Sequence, residues 1–345
     1  MSKSNKILIL RLSALGDVAM TVPVVASLSD AYPNKELIVV SRGFAQKLFA
    51  PIKGVTFVPF DPNNKHKGVK GLWKLFKTLK SIGPYDFIAD LHDVIRTKFI
   101  TTLFKLSGTK VVRIDKGRKE KKELTRKKNK TLKQLKSTFE RYHEVFLKAG
   151  YTFNIDTFNG KELYVTSENK NLHKTLYSDK IRIGIAPFAG HIWKTWPEDK
   201  MLKLIEKLDK SGYEIFLFGG RGKEQKTLDE WSSNFNNVHN LAGQLPINHE
   251  LEAISKLNVM ISMDSGNMHL ARLVNTPVVS IWGATHPNAG FYGWNMPKEW
   301  AVQVDLDCRP CSVYGNKPCH REDFACMNNI TPEMVLEKVE LITKA

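Results

Sequence analysis

Residues 6–18 read Lys6-Ile7-Leu8-Ile9-Leu10-Arg11-Leu12-Ser13-Ala14-Leu15-Gly16-Asp17-Val18. Four apolar residues in a row, without polar alternation, predict a strand covered on both faces, the kind that parallel sheets bury between layers of helices. The run stops at Arg11, and beyond Asp17 an apolar pattern of helical period begins, so a strand passes through a short turn into a helix. Similar short runs recur at 36–41, 56–59, 86–90 and 110–114, and again at 182–186, 214–218, 259–263, 278–281 and 302–304. Between two of them, residues 200–210 place Met201, Leu202, Leu204, Ile205 and Leu208 on one helical face. The alternation predicts an α/β chain of two βαβ domains, which suits a length of 345 residues. The polar stretch 166–180 separates the two series, giving an N-terminal domain over 1–175 and a C-terminal domain over 176–330.

In open α/β sheets, ligands lie beyond the carboxyl ends of the strands, so the loops there hold the candidate chemistry. The turn at 11–17 has only Gly16 where a dinucleotide fingerprint needs three glycines, which disfavours an NAD enzyme. Asp17 either caps the helix or faces a ligand and takes a proton from a hydroxyl. After a later strand comes Asp264-Ser265-Gly266-Asn267-Met268-His269. A helix starting there directs free backbone N–H groups outward, which suits phosphate, and His269 lies one turn further on. Lys194 stands between Trp193 and Trp196, ahead of Pro197, as a point charge for phosphate or a solvated lysine on an aromatic cluster. Gly219, Gly220 and Gly222 permit close backbone approach, with Glu224 placed either to bind a ribose or simply to begin a helix.

Taken together these loops resemble glycosyltransferase family 9, the heptosyltransferases, over nearly the whole chain. The resemblance rests on residues 12–17, on Asp90-Leu91-His92 with Arg96-Thr97, on Lys194 before Trp196-Pro197, on Gly219-Gly220 with Glu224, and on residues 264–270. Asn267 replaces a proline common there and His92 a common glutamine. The resemblance implies a GT-B fold, two Rossmann-like domains with parallel sheets facing a cleft, and a C-terminal helix, 331–345, that packs back on the N-terminal domain. It further implies inverting, metal-independent transfer of a heptose or related sugar from a nucleotide diphosphate-sugar, with ADP-heptose as the expected donor, to an anionic glycolipid of the lipopolysaccharide inner core. Asp17 becomes the general base. Lys194, Glu224, Asp264, Ser265, Gly266 and His269 form the donor site; Ser13, Arg96, Lys119, Lys121 and Lys122 form the acceptor side, and His143 either contacts the acceptor or simply packs. No cofactor is required. A different donor sugar on the same fold is the alternative.

The charge constrains partners. Lys and Arg outnumber Asp and Glu by 52 to 35, a net +17, and residues 105–136 alone hold fourteen basic and three acidic residues. Such a run is either a solvated mobile loop or a clamp for an anionic acceptor at the cytoplasmic membrane face. A nucleic-acid-binding protein is the other class the charge allows. It is disfavoured because residues 105–136 contain no aromatic residue for base stacking and no recognition motif. No apolar run reaches the length of a membrane-spanning helix, and Arg11 and Asp17 interrupt any signal-peptide core. A cytoplasmic enzyme, peripheral at the inner face of the membrane, is expected. The cysteines, Cys308, Cys311, Cys319 and Cys326, lie within nineteen residues. One Cys-x-x-Cys without a second allows a structural zinc but favours reduced, packed thiols.

Overall fold

The computed structural model describes residues 4–165 and 172–344, and the chain divides into two compact units. The first unit holds a five-stranded parallel sheet of β1 (Lys6–Leu10), β2 (Glu36–Arg42), β3 (Val55–Phe60), β4 (Phe87–Asp90) and β5 (Val111–Arg113), in the order β3-β2-β1-β4-β5. The second holds β6 (Arg182–Ala186), β7 (Glu214–Leu217), β8 (Val238–Asn240), β9 (Val259–Met263), β10 (Val278–Ile281) and β11 (Ala301–Val302), in the order β11-β10-β9-β6-β7-β8. All pairs are parallel. Within each unit, the first strand lies between the second and the fourth, the doubly wound arrangement in which strand order reverses once. The reversal falls between β1 and β4, where Leu10 is level with Asp90, and between β6 and β9, where Ala186 is level with Ser262.

The strands are buried as their composition requires. Ile7, Leu8, Ile9 and Leu10 are at most 1% exposed. On one face of the first sheet, Leu72, Leu75, Phe76 and Leu79 of the helix Gly68–Ile82 pack with Ile100 and Phe104 of the helix Ile95–Leu106. In the second unit, the helix Glu198–Lys210 buries Met201, Leu204, Ile205 and Leu208, while Leu202 is only half-buried against the same core. Strand β8, three residues reading Val-His-Asn, lacks an apolar run and has no counterpart among the expected strands.

Two expectations about organisation need correction. The closing helix Pro332–Thr343 belongs to the second unit. Its fully buried Val335 and Val339 join Met327 and Ile330 in the core of the second sheet, and Trp196 Nε1 donates to Ile330 O at 3.3 Å. Its buried apolar side chains complete its own sheet's cover. Nor is there a single boundary near residue 175. The first unit comprises the chain up to Lys116 together with Thr138–Asn159; the second takes Gly117–Ser137 and everything from Gly160. Part of the expected boundary stretch, residues 166–171, lies outside the described residues.

Candidate active site

Both strand-order reversals carry an aspartate in contact with a cation. In the first unit, Arg11 follows β1. Its guanidinium donates through Nη1 to Leu91 O at 2.9 Å and through Nη2 contacts Asp17 Oδ2 at 2.7 Å. Asp17 is in the first turn of the short helix Leu15–Ala19, and the Ala14 amide also points at Oδ2, at 3.4 Å. One carboxylate oxygen thus both caps the turn and pairs with Arg11. Among the described residues Oδ1 has no partner, and the side chain is 33% exposed. Tyr142, on the helix Thr138–Ala149, steadies the turn by donating to Asp17 O at 3.3 Å.

His92 lies at the same edge. Its Nδ1 accepts the Leu12 amide at 3.3 Å, and burial, reinforced by the charges of Arg11, Lys116 and Arg96, pushes its pKa down to about 3. The ring is therefore neutral and acts as an acceptor that fixes the loop. Asp90, fully buried below it, accepts the His92 and Asp93 amides at 3.1 and 2.8 Å, although burial raises its pKa. Ser13 is half-buried in the same turn and Arg96 is exposed on the first turn of the helix after β4. Arg11 is the functional residue that sequence reasoning passed over. Its signal was a charged residue directly at the end of a buried strand.

The second unit assembles its pair from two loops. Lys194 closes the turn Ile192–Lys194 after β6, and its Nζ meets Asp264 Oδ2, just beyond β9, at 2.8 Å. Thr285 Oγ1 donates to the same oxygen at 2.9 Å. Ser265 caps the helix Gly266–Leu273 with extended backbone, leaving the first amides of that helix beside Lys194, and His269 is buried one turn in. Gly315, at φ +70°, packs against the stem of Lys194 so closely that a Cβ there would lie 2.2 Å from Lys194 Cγ. No local pattern around Gly315 signals this close approach. Glu224 Oε2 accepts the Gly220 amide at 2.6 Å and closes the glycine loop after β7.

Three expected acceptor-side residues, Lys119, Lys121 and Lys122, lie on the second unit, and a fourth, His143, is packed on the first. His143 packs edge-on against Phe153, 4.6 Å between centroids, its buried Nε2 without a hydrogen-bond partner among the described residues, while Tyr142 of the same helix reaches the Asp17 turn. Residues 105–136 are not one mobile loop on the first unit. They include β5 and the helix Arg118–Leu124, and from Gly117 onward they lie on the second unit. There Lys121, 7% exposed, places Nζ 4.1 Å from the Phe291 ring centre, Leu124 and Leu135 pack with Ala289, and Lys130 Nζ donates to Pro310 O at 3.1 Å. A cation over an aromatic face keeps favourable contacts when desolvated, which explains why Lys121 is buried. Lys119 and Lys122 stay exposed.

The four cysteines line one small cavity with Arg309, His320 and Trp193. All are free thiols, and burial followed by the neighbouring cysteines raises Cys311, while burial pushes Cys326 up to about 12. Among the described residues no group of three or more His, Cys, Asp or Glu side chains is placed to hold a metal ion.

The sequence profile of glycosyltransferase family 9 (heptosyltransferase) matches residues 72–320. The chain belongs to glycosyltransferase family 9. Among relatives of this family 9 chain, lipooligosaccharide heptosyltransferase 2 of Haemophilus influenzae is 25% identical across 98% of the chain and 99% of its own length. A family 9 glycosyl transferase from Veillonella parvula superposes with a TM-score of 0.74 at 19% identity, covering 100% of this chain and 99% of that one. The E. coli heptosyltransferase WaaC with ADP gives 0.68 at 18% identity, covering 98% and 99%. The shared architecture is GT-B, two parallel-sheet α/β domains, and the chain is a glycosyltransferase.

Proposed function

We propose that this family 9 glycosyltransferase inverts an anomeric centre in moving a heptose from ADP-heptose to a hydroxyl of an anionic glycolipid of the lipopolysaccharide core. The observation that carries the reading is the aspartate–cation pair at each strand-order reversal. Direct displacement at an anomeric carbon needs a base for the incoming hydroxyl and positive charge for the departing diphosphate. Asp17 Oδ1 is the base: the hydroxyl proton passes to it as the acceptor oxygen bonds the anomeric carbon and the bond to the diphosphate breaks. Arg11 holds the other carboxylate oxygen and thereby aims the first. Lys194 and the amides at Ser265 and Gly266 supply charge to the diphosphate from the chain itself, with His269 backing that helix and Glu224 turned to the ribose. Ser13 and Arg96 on the first unit, and exposed Lys119 and Lys122 on the second, attract the acceptor's phosphates and carboxylates.

The donor is supported by heptosyltransferases solved with ADP and with ADP-2-deoxy-2-fluoro heptose, which share this fold. Among the described residues no helix is long and apolar enough to cross a membrane, so a lipid-borne acceptor has to be met at the surface. The test is a thermal-shift series with ADP, UDP, GDP and CMP. A ligand that binds only the folded chain raises its apparent stability. ADP should give the largest shift; no shift with any nucleotide overturns the donor reading.

A further inference from the structure

The helix Gly68–Ile82 differs in charge from every expectation for a merely solvated helix. Its inner face is core. Its outer face carries Lys70, Lys74, Lys77 and Lys80, and between them Val69 and Trp73, which are 67% and 42% exposed. Lys65 and Lys67 precede it, and no Asp or Glu occurs from residue 62 to residue 85. Among the described residues none of these six ammonium groups reaches a carboxylate, and none has another side-chain partner.

The helix Glu198–Lys210 shows the contrast. It also has four lysines, but four acids accompany them, with Lys203–Asp199 and Lys210–Glu206 paired at i,i+4. Like charges at that spacing destabilise a helix and opposite charges support it. The Gly68–Ile82 helix thus keeps an arrangement that is unfavourable in water and becomes favourable against an anionic plane. An exposed Trp among lysines suits such a plane, because its ring settles at the headgroup level while the lysine stems reach phosphates. The charge accounting agrees: removing the net +11 of residues 105–136 from +17 leaves +6, which these six lysines match.

We propose that the outer face of the Gly68–Ile82 helix docks the chain on an anionic phospholipid bilayer, with the lysines at the headgroups and Trp73 in the interface. The proposal deepens the lipid-acceptor reading above by naming the surface that meets the membrane. It is tested on the whole protein by sedimentation with phosphatidylcholine vesicles, with and without phosphatidylglycerol. Binding should require phosphatidylglycerol and weaken with salt. Changing Lys70→Glu, Lys74→Glu and Lys77→Glu together should lower the partition by about tenfold or more, and Trp73→Ala should lower it less. The same three positions changed to Gln remove charge without adding repulsion and should give an intermediate loss. Reversing Lys119, Lys127 and Lys128 should matter far less.

Thermal midpoint and the ADP response serve as fold controls. Since vesicle binding is read without nucleotide, a missing ADP response would fault the donor reading and leave this one standing. Equal sedimentation of a folded triple variant and its parent, no preference for phosphatidylglycerol, or loss of binding through Lys119, Lys127 and Lys128 instead, each overturns the proposal. So does tighter binding to unspecific duplex DNA than to the vesicles, lost in the same triple variant.

Discussion

The strand-order reversals of the two sheets are topologically equivalent, yet their aspartate–cation pairs are built in opposite senses. In the first unit both partners come from one loop, Arg11 and Asp17, and the cation is the buried member, 8% exposed against 33% for the acid. In the second they come from two loops, after β6 and β9, and the acid is the buried member, Asp264 at 7% against 16% for Lys194. A guanidinium is a fixed fork that can hold a carboxylate in one orientation, whereas an ammonium is a compact charge that can change partners. One scaffold therefore presents an oriented acid in one unit and a movable cation in the other. On the proposed mechanism, the difference would separate proton acceptance from anion neutralisation without any change of topology.

The comparison breaks most visibly at Asp17. Asp17→Asn should lower the transfer rate by about 10²–10⁴ and leave the ADP-induced thermal shift in place; near-normal initial rates with the true acceptor would discard Asp17 as base. Next comes Lys194→Met, which should weaken ADP by roughly tenfold to a hundredfold, the loss of a charged hydrogen bond of about 1.5–3 kcal/mol. It should also lower the melting temperature, because buried Asp264 is left without its cation. Adding Asp264→Asn should restore the melting temperature without restoring affinity, and calorimetric titration showing both restored would refute the assignment of Lys194 to the diphosphate.

A smaller effect is expected at Gly315, where φ is +70° and an added methyl would meet the Lys194 stem. Gly315→Ala should cost about 1–3 kcal/mol of stability and weaken ADP by a few-fold through a displaced Lys194; unaltered ADP affinity would show that the lysine is positioned by other contacts. The smallest effect belongs to His92→Gln, since an amide oxygen can accept the Leu12 amide in place of Nδ1. At neutral pH the change should be within about 0.5 kcal/mol. The native pKa of His92 lies near 3, below the unfolded value of about 6.5. Its contribution is thus fully present above pH ~6.5 and is lost as pH falls toward 3. The variant should accordingly lose less stability between about pH 7 and pH 5, as read from urea midpoints, and identical losses would contradict a neutral His92.

Much of this was legible in the sequence, for reasons that particular residues illustrate. Doubly covered strands such as β1 and β9 announce themselves because burial on both faces demands uninterrupted apolar residues. The loops after them were legible because a doubly wound sheet leaves only those places for ligands. Arg11 was missed because its pairing with Asp17 depends on the turn between them. Gly315 was missed because its neighbour Lys194 is more than a hundred residues away. The contact of His143 was illegible for another reason, since nothing in the pattern of residues shows that the nearby Phe153 folds back against its ring. The run at 105–136 misled most, because local charge suggests solvation whereas Lys121, Leu124 and Leu135 are held by Phe291 and Ala289.

That strap, Gly117–Ser137, also bears on how the protein can be taken apart. The polypeptide leaves the first unit at Lys116, returns at Thr138 and departs again after Asn159, so three covalent connections join the two units. A chimera made by exchanging halves after Asn159 would set one parent's strap against the other parent's counterparts of Phe291 and Ala289, mismatching the contacts of Leu124 and Leu135. Recombination within the family should therefore tolerate exchanges with three crossovers, after Lys116, Ser137 and Asn159, that move the strap with its own second unit, and select against single crossovers.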